Sequence, residues 1–215
     1  VNLLKEGVSD DQIYITGNTV IDALFQVVDK PYEFEEETLK AIDFENRRII
    51  TVTCHRRENL GENMEHIFGA IRKIAEDFED VEIIYPMHMN PKVRETANKI
   101  LNGMDRVHLI DPLQYQPFQN LMAKSYLIIT DSGGIQEEAP SLGKPVLVVR
   151  KETERPEAVE AGTVKLAGVE MEAIYSLSKE LLTDKNAYDA MAHAVNPYGD
   201  GHACERIVEI LKKKL

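Results

Sequence analysis

The chain of 215 residues has no tryptophan and only two cysteines, Cys54 and Cys204. Two cysteines are too few for a disulfide framework, so we expect a reducing compartment, the cytoplasm. No apolar run approaches the roughly 18 residues of a membrane span, and no signal peptide is recognisable. The first residue is Val1 rather than methionine, and it already lies in what resembles a structural element. We therefore expect a fragment of a longer protein.

Positive charge is also scarce. The chain has 25 Lys and Arg against 37 Asp and Glu, which gives a formal net charge of −12 and a sequence pI near 5.0. An acidic protein repels the phosphate backbone of nucleic acids and anionic lipid headgroups. The composition therefore predicts neither nucleic-acid binding nor adhesion to an anionic membrane. The length is sufficient for one large α/β domain with a sizeable core.

The stretch 128–149, IITDSGGIQEEAPSLGKPVLVV, is typical of a buried strand, a glycine turn, a helix and a second strand. Ser132 is a good helix N-cap, and Gly133 and Gly134 allow the backbone to approach a ligand. The start of a helix attracts an anion, and the glutamates at 137–138 could accept hydrogen bonds from a sugar diol. These features fit a nucleotide. The alternative is an ordinary strand–helix junction with a solvated glutamate pair.

Strand and helix patterns alternate along the chain. Six strands are predicted in the second part, at 48–54, 81–85, 107–110, 127–130, near 146–149 and at 164–166, and a further short strand at 13–16. Helices are predicted at 20–28, from a cap at Asn63 to 78, at 91–101, 115–123, 170–182, 186–193 and 201–213, and from Pro156 onward. The residues from Lys30 to Glu37 are predicted to form a linker and a solvated surface.

This alternation predicts an α/β fold, a doubly wound parallel sheet with the strand order 3-2-1-4-5-6. Ligands bind such sheets at the carboxyl ends of the strands, where the order reverses. In this order the strands ending at Cys54 and Thr130 are neighbours. The polar loops 55–59 and 131–134 are therefore expected to face each other.

The loop 55–59 has the sequence HRREN and directly follows an apolar strand. A histidine there could act as a general acid or base, and the arginines could bind a diphosphate. The alternative is a surface loop with an Arg–Glu ion pair. We favour a functional loop because it falls at the predicted reversal of strand order.

Three more residues have a functional and a structural interpretation. His88 could reach the same cleft or cap a turn. Phe118 could stack on a flat base, although an aromatic residue at a helix start is more often part of the core. Arg155 could bind a phosphate or pair with Glu152 or Glu154 at the surface.

Metal and dinucleotide signatures are not recognisable. The remaining histidines show no ligand spacing, and the glycines match neither GxGxxG nor GxxxxGK[ST]. We therefore expect no metal ligands and no nicotinamide cofactor. Cys54 has neighbours typical of a core, so we expect a small buried side chain rather than a nucleophile.

Six motifs together carry a family resemblance: GNTVIDAL (17–24), HRREN (55–59), YPMHMNP (85–91), DSGGIQEEAPSLGKPVLVVR (131–150), ERPEAVEAGT (154–163) and NPYGDGHACERI (196–207). The chain resembles the non-hydrolysing UDP-N-acetylglucosamine 2-epimerases over nearly its whole length. The resemblance implies a glycosyltransferase-B architecture with an active site between two Rossmann-like domains. The chain would be the C-terminal domain, with a connecting segment at 1–47 and a core with C-terminal helices at 48–215. The N-terminal domain would be absent.

The resemblance also implies where the nucleotide binds. Ser132, Gly133 and Gly134 would hold the diphosphate. Glu138 would bind the ribose hydroxyls, and Phe118 would lie near the uracil.

Further roles follow from the same resemblance. Arg155 would reach toward the phosphate or the sugar, and His55 would be a catalytic-site residue beside the diphosphate and the glucosamine ring. Arg57, Glu58 and His88 would line the cleft, where bacterial members of the family also admit a second, activating UDP-N-acetylglucosamine.

The implied activity is that of an isomerase that inverts C2 of the sugar. UDP is eliminated, a 2-acetamidoglucal remains, and UDP is added back, without a metal or redox cofactor. Proton transfer at C2 would rely on carboxylates of the absent domain, so the fragment should bind UDP weakly and catalyse little. The partners would be UDP-N-acetylglucosamine or UDP, the missing domain, and a second copy in a full-length homodimer. The pathway would be cell-envelope polysaccharide biosynthesis.

Three alternatives stay open at this stage. A UDP-sugar-dependent glycosyltransferase has the same architecture but needs an acceptor. A hydrolysing epimerase would release free N-acetylmannosamine. A non-catalytic nucleotide-binding module would show binding alone. The final helix is expected to expose an apolar stripe of Ile207, Ile210 and Leu211 for the other domain.

Overall fold

The computed structural model describes residues 2–28 and 31–214, and a parallel six-stranded sheet forms its centre. The strands are β1 (Arg48–Thr53), β2 (Val81–Pro86), β3 (Val107–Ile110), β4 (Leu127–Thr130), β5 (Val146–Val148) and β6 (Val164–Leu166). Their order is β3-β2-β1-β4-β5-β6, and every neighbouring pair is parallel. The predicted doubly wound sheet and its strand order are confirmed.

Helices connect the strands and cover both faces of the sheet. They are α1 (Asn2–Lys5), α2 (Thr19–Val27), α3 (Glu37–Ala41), α4 (Glu62–Asp77), α5 (Pro91–Leu101), α6 (Tyr115–Lys124), α7 (Gly133–Glu138), α8 (Pro156–Glu160), α9 (Met171–Thr183), α10 (Lys185–Ala192) and α11 (Ala203–Lys214). Single 3₁₀ turns occur at Asp10–Gln12, Arg57–Asn59 and Ala139–Leu142. In the described residues, none of the helices combines the length and the apolar character that spanning a bilayer requires.

The strand predicted at 13–16 is wrong. These residues pair with no strand of the described chain, and Ile15 is 95% exposed. The C-terminal segment holds the adjoining residues instead. The Arg206 guanidinium donates to the Thr16 carbonyl at 3.1 Å, and the Asn18 amide donates to the Tyr198 carbonyl at 2.7 Å. The β-branched residues of this stretch favour a strand, but the stretch does not pair with an edge of the sheet.

The predicted cap of α4 is also wrong. The helix begins at Glu62 after Gly61, which has a φ of +90° that favours glycine. Asn63 lies inside the first turn, and its side-chain amide donates to the Glu58 carbonyl at 3.0 Å. The apolar face of α4 is confirmed, because Ile67 and Ile71 are buried in the main core.

The segment before β1 is packed against the core. Asn18 caps α2 by accepting from the Val20 amide at 3.0 Å, and Ile21 and Leu24 are completely buried. Phe34 in the acidic stretch, and Leu39 just after it, are buried in a smaller core on one face of the sheet. The prediction of a solvated surface there is therefore only half right, because glutamates alternate with anchoring side chains. Lys30 of the predicted linker lies outside the described residues.

The apolar stripe of the last helix is partly exposed. Leu211 is 52% exposed, while Ile207 and Ile210 are half-buried. The predicted stripe is therefore narrower than the sequence indicates.

One buried hydrogen bond fixes the carboxyl end of β1. The hydroxyl of Tyr85, at the core of β2, donates to the Cys54 carbonyl at 2.6 Å. Cys54 is 1% exposed, and burial raises the pKa of its thiol well above the usual range. The prediction that Cys54 is a buried core residue is confirmed. Its carbonyl directly precedes the loop that begins at His55.

We expect Tyr85→Phe to lower the free energy of unfolding by about 1–2 kcal/mol, because a buried carbonyl loses its donor. Tyr175→Phe is the matched control. It removes a hydroxyl that donates to Asp77 at the surface, so we expect a change below about 0.5 kcal/mol. Urea denaturation of both variants measures the difference. Equal losses would show that the Tyr85 hydroxyl does not stabilise the end of β1.

Candidate functional site

The two polar loops meet at the reversal of strand order, as predicted. β1 and β4 are neighbours, and the hydroxyls of Thr53 and Thr130 at their carboxyl ends lie 2.6 Å apart. Asp131 follows β4 and is completely buried. Its Oδ2 accepts from the backbone amides of His55 and Arg56 at 2.9 and 2.8 Å. This carboxylate therefore ties loop 55–59 to the start of the glycine turn.

The glycine turn leaves space between two guanidinium groups. A Cβ on Gly133 would lie 3.8 Å from Nη2 of Arg56 and 4.0 Å from Nη2 of Arg155. A Cβ on Gly134 would meet no atom within 4 Å. Both glycines have helical backbone angles without a positive φ. They therefore provide open space at the turn rather than conformational freedom. The turn therefore offers N–H groups and two cations to an anion.

Ser132 occupies the N-cap position of α7, but its side chain makes no capping hydrogen bond. The backbone amide of Ser132 is instead held by the Thr130 hydroxyl at 2.9 Å. The position of the predicted cap is right and the predicted interaction is wrong. The Ser132 hydroxyl therefore remains for a ligand at the turn.

A hollow of about 220 Å³ opens beside the turn, and it is lined by Thr53, Cys54, His55, Pro86, His88, Pro112, Leu113, Phe118, Ser132 and Ile135. The rings of His55 and His88 stack in it, with centroids 5.2 Å apart and planes at 11°. His88 also accepts from the Asn90 amide through Nδ1 at 3.0 Å. Both predicted interpretations of His88 therefore hold: it reaches the cleft and it caps a turn.

Glu138 is buried beside this hollow, so the alternative of a solvated glutamate pair is wrong. Its carboxylate accepts from the Gln119 amide at 3.1 Å and the Tyr115 hydroxyl at 3.3 Å. Burial raises the pKa of Glu138 despite these hydrogen bonds. Burial and the nearby Glu138 raise the pKa of Tyr115 to about 12. Gln119 follows Phe118 on α6, so the aromatic wall and the buried carboxylate are adjacent.

Glu137 has a different environment from its neighbour. Its carboxylate accepts from Nε of Arg155 on one side and from the Asn18 amide at 2.5 Å on the other. The Asn196 amide donates to the Glu137 carbonyl at 2.8 Å. Arg155 therefore forms its ion pair with Glu137 rather than with the predicted surface partners Glu152 and Glu154, although its Nη1 donates to the Glu154 backbone carbonyl at 3.0 Å. This pairing places the guanidinium over the glycine turn.

No cluster of three or more His, Cys, Asp or Glu side chains in residues 2–28 and 31–214 is arranged to hold a metal ion. The residues around the glycine turn instead present hydrogen-bond donors, positive charge and a buried carboxylate, Glu138, that has only neutral donors. This set fits an anionic ligand with a polyhydroxyl group.

The protein-family model for UDP-N-acetylglucosamine 2-epimerases matches residues 1–212. The chain belongs to this family. The UDP-N-acetylglucosamine 2-epimerase of Bacillus subtilis is 57% identical over 210 residues, which cover 98% of this chain and 54% of the relative. The chain therefore spans about half the length of the curated relatives it matches.

Solved structures agree with this family. Staphylococcus aureus MnaA in a co-structure with UDP is 50% identical, with a TM-score of 0.91 over 99% of this chain and 57% of that chain. The UDP-GlcNAc 2-epimerase of Neisseria meningitidis bound to UDP-GlcNAc is 45% identical, with a TM-score of 0.86 over 99% and 58%. WaaG, a glycosyltransferase, is 17% identical over 77% of this chain and 47% of that chain, and its TM-score of 0.57 shows a shared fold alone.

Two of the site residues predicted for this epimerase-family chain lie on a rim away from the hollow. Arg57 is exposed, and Glu58 pairs with Arg150 at 2.6 Å. Arg150 also binds Glu154, whose pKa it lowers to about 2. Glu58 lines a separate polar hollow together with Arg150 and Lys151. The binding roles of Arg57 and Glu58 therefore stay predictions.

Two residues of this epimerase-family site had no predicted role: Asp131 and Gln119. Asp131 carries the general signal of a polar residue at the carboxyl end of a strand beside the reversal of strand order. Gln119 lies inside a helix, with no pattern to distinguish it from a surface glutamine.

The two adjacent glutamates should respond in opposite directions to the same substitution. We expect Glu137→Gln to lower the free energy of unfolding by about 2 kcal/mol, because a charge-assisted hydrogen bond to Arg155 is weakened. We expect Glu138→Gln to raise it by about 1 kcal/mol at pH 7, because the substitution removes a buried charge that has only neutral donors. Urea denaturation at pH 7 measures both changes.

The gain from Glu138→Gln should depend on pH. Burial raises the pKa of Glu138, so ionisation costs stability only above the ordinary carboxyl pKa of about 4.3. The gain should therefore be present at pH 7 and be mostly lost at about pH 4. A gain of equal size at both values would contradict this account of Glu138.

Proposed function

We propose that this chain is the UDP-binding half of a UDP-N-acetylglucosamine 2-epimerase. The enzyme interconverts UDP-N-acetylglucosamine and UDP-N-acetylmannosamine by elimination and re-addition of UDP. The observation that carries the proposal is the open glycine turn flanked by Arg56 and Arg155, with the buried Glu138 further along the same helix. The family and the relatives solved with UDP and UDP-GlcNAc support it.

The geometry supports one orientation of the nucleotide. The diphosphate lies at Ser132, Gly133 and Gly134. Glu138 is five residues from Gly133, which corresponds to about 7 Å along a helix and suits the ribose of the same nucleotide. Phe118 adjoins the Gln119–Glu138 pair and offers a flat surface to the uracil. The diphosphate, the ribose and the uracil thus each face a matching group, in the order in which they are linked in UDP.

The chemistry divides into two tasks. In elimination, the C2 proton is removed, its electron pair forms the C1–C2 double bond, and the C1–oxygen bond breaks with its pair leaving on UDP. Addition reverses these steps, with the proton returning to the other face of C2. The departing diphosphate needs preorganised donors, of which one is worth about 3–4 kcal/mol. His55, Arg56 and Arg155 perform that task in our proposal.

Proton transfer at C2 needs positioned acid–base groups, which we assign to the part of the relatives that this chain does not span. The full-length enzyme in our proposal is a cytoplasmic homodimer of cell-envelope polysaccharide biosynthesis that needs no metal. His88 lines the hollow, whereas Arg57 and Glu58 lie on the rim away from it, and in our proposal these residues contact the sugar nucleotide or a second, activating one. The chain alone should therefore bind UDP and turn over little.

We expect calorimetric titration of the chain with UDP to show saturable binding. Ser132→Ala and Glu138→Ala should each weaken it about 10–100-fold, because each removes a hydrogen bond that involves a charged group. Ser176→Ala and Glu160→Ala change exposed residues outside the site and should bind as the unchanged chain does.

Undetectable binding by a folded chain, or equal binding by all variants, would contradict the placement of UDP at the turn. Product analysis of the full-length protein then tests the reaction. Incubated with UDP-N-acetylglucosamine and no acceptor, an epimerase forms UDP-N-acetylmannosamine. Free N-acetylmannosamine with UDP would indicate a hydrolysing enzyme, and no product until an acceptor is added would indicate a glycosyltransferase.

A further inference from the structure

The two carboxylate oxygens of Asp131 differ in their surroundings. Oδ2 accepts three hydrogen bonds, from the amides of His55 and Arg56 and from Nδ2 of Asn59 at 3.0 Å. Oδ1 is equally buried but has no hydrogen-bond partner in the described part of the chain. A buried carboxylate oxygen without a donor is unfavourable, so its role needs an explanation.

The nearest ionisable nitrogen to this oxygen belongs to His55. Nδ1 of the ring lies 3.5 Å from Oδ1, slightly beyond a normal hydrogen bond. Two other ionisable groups near Asp131 are Cys54, whose thiol lies within hydrogen-bonding reach of the carboxylate, and Tyr85; burial and the Asp131 charge raise the pKa of both. Both are neutral at physiological pH, so neither supplies a compensating cation. His55 is therefore the group that a small rotation of the ring would bring to Oδ1.

The position of the His55 ring decides what such a contact would do. The ring is 38% exposed, lines the hollow with Ser132 and stacks on His88. Nδ1 faces Asp131, so Nε2, on the opposite side of the imidazole, remains for the hollow. The hydrogen bond at one ring nitrogen sets the proton on the other.

We propose that Asp131 is a positioning residue that fixes the tautomer of His55: Oδ1 accepts the Nδ1–H, and Nε2 is presented to the ligand. The part of this inference that concerns the diphosphate rests on the proposed function. A proton bound at Nε2 is donated as a hydrogen bond to a diphosphate oxygen. The imidazolium then lies between the diphosphate and Asp131, and no proton passes to Asp131 itself. The carboxylate thus both holds the loop and balances the charge of the ring.

The test is the tautomer of His55, observed by two-bond ¹H–¹⁵N NMR of the labelled chain at about pH 8.5, where imidazoles are mostly neutral. We expect His55 to carry its proton on Nδ1. Two other histidines provide references. His88 accepts an amide hydrogen at Nδ1 and must carry its proton on Nε2, whereas Nδ1 of His193 lies 3.0 Å from the Asp189 carbonyl and must carry the proton. His55→Gln identifies the resonances of His55.

Asp131→Asn should move the proton of His55 to Nε2, because the amide that replaces Oδ1 donates to Nδ1. The tautomers of His88 and His193 should not change. Glu170→Gln is the matched control, since Glu170 also lies 3.5 Å from Nδ1 of a histidine, His66, but is largely exposed. It should leave the spectrum of His55 unaltered. We also expect Asp131→Asn to bind UDP about tenfold more weakly, because without the carboxylate the ring stays neutral and its hydrogen bond to the diphosphate is no longer charge-assisted.

An Nε2–H tautomer of His55 in the unchanged chain would overturn the inference, and so would an unaltered tautomer in a folded Asp131→Asn variant. Should that variant not fold, the tautomer of the unchanged chain decides. Failure of the proposed function has a different signature. An Nδ1–H tautomer in a chain that does not bind UDP leaves the positioning role intact, whereas UDP binding with an Nε2–H tautomer removes the positioning role alone.

Discussion

The site depends on one buried carboxylate at the junction of two parallel strands. Asp131 follows β4, and its hydrogen bonds to the amides of loop 55–59 join the two loops that extend from β1 and β4. Parallel strands place loops on the same edge of the sheet but do not fix their distance. An acceptor shared by three donors fixes it here. His55, Arg56 and the glycine turn therefore form one site because Asp131 lies between them.

The fold could be predicted because its signals are local. Short apolar strands that alternate with amphipathic helices specify a parallel sheet, and the chirality of the crossovers leaves few strand orders. The meeting of loops 55–59 and 131–134 follows from that order. The prediction of a strand at 13–16 was wrong because local β propensity is not sufficient. A strand also needs a partner with free backbone groups.

The details of the site depend on contacts distant in sequence. Arg155 has three carboxylates within three residues, yet its ion-pair partner is Glu137, 18 positions away, because α7 brings that side chain to the glycine turn. Ser132 has the sequence of a helix cap, yet the Thr130 hydroxyl already holds its amide. Residue type thus indicated which side chains matter, while packing decided which partner each one has. Asp131 and Gln119, which had no predicted role, act through such packing.

The adjacent glutamates show how the site separates stability from binding. The Glu137 carboxylate lies between a guanidinium and one side-chain amide, so its burial is compensated within the fold. Glu138 has only neutral donors, and its raised pKa shows that burial of its charge is not compensated in the chain. A ligand that donates hydroxyl hydrogens would supply the missing compensation.

In a chain of net charge −12, local charges decide what binds, because charges farther than about 10 Å are largely screened at 0.1 M salt. The guanidiniums of Arg56 and Arg155 over the turn can therefore attract a small dianion, while the acidic surface still repels extended polyanions.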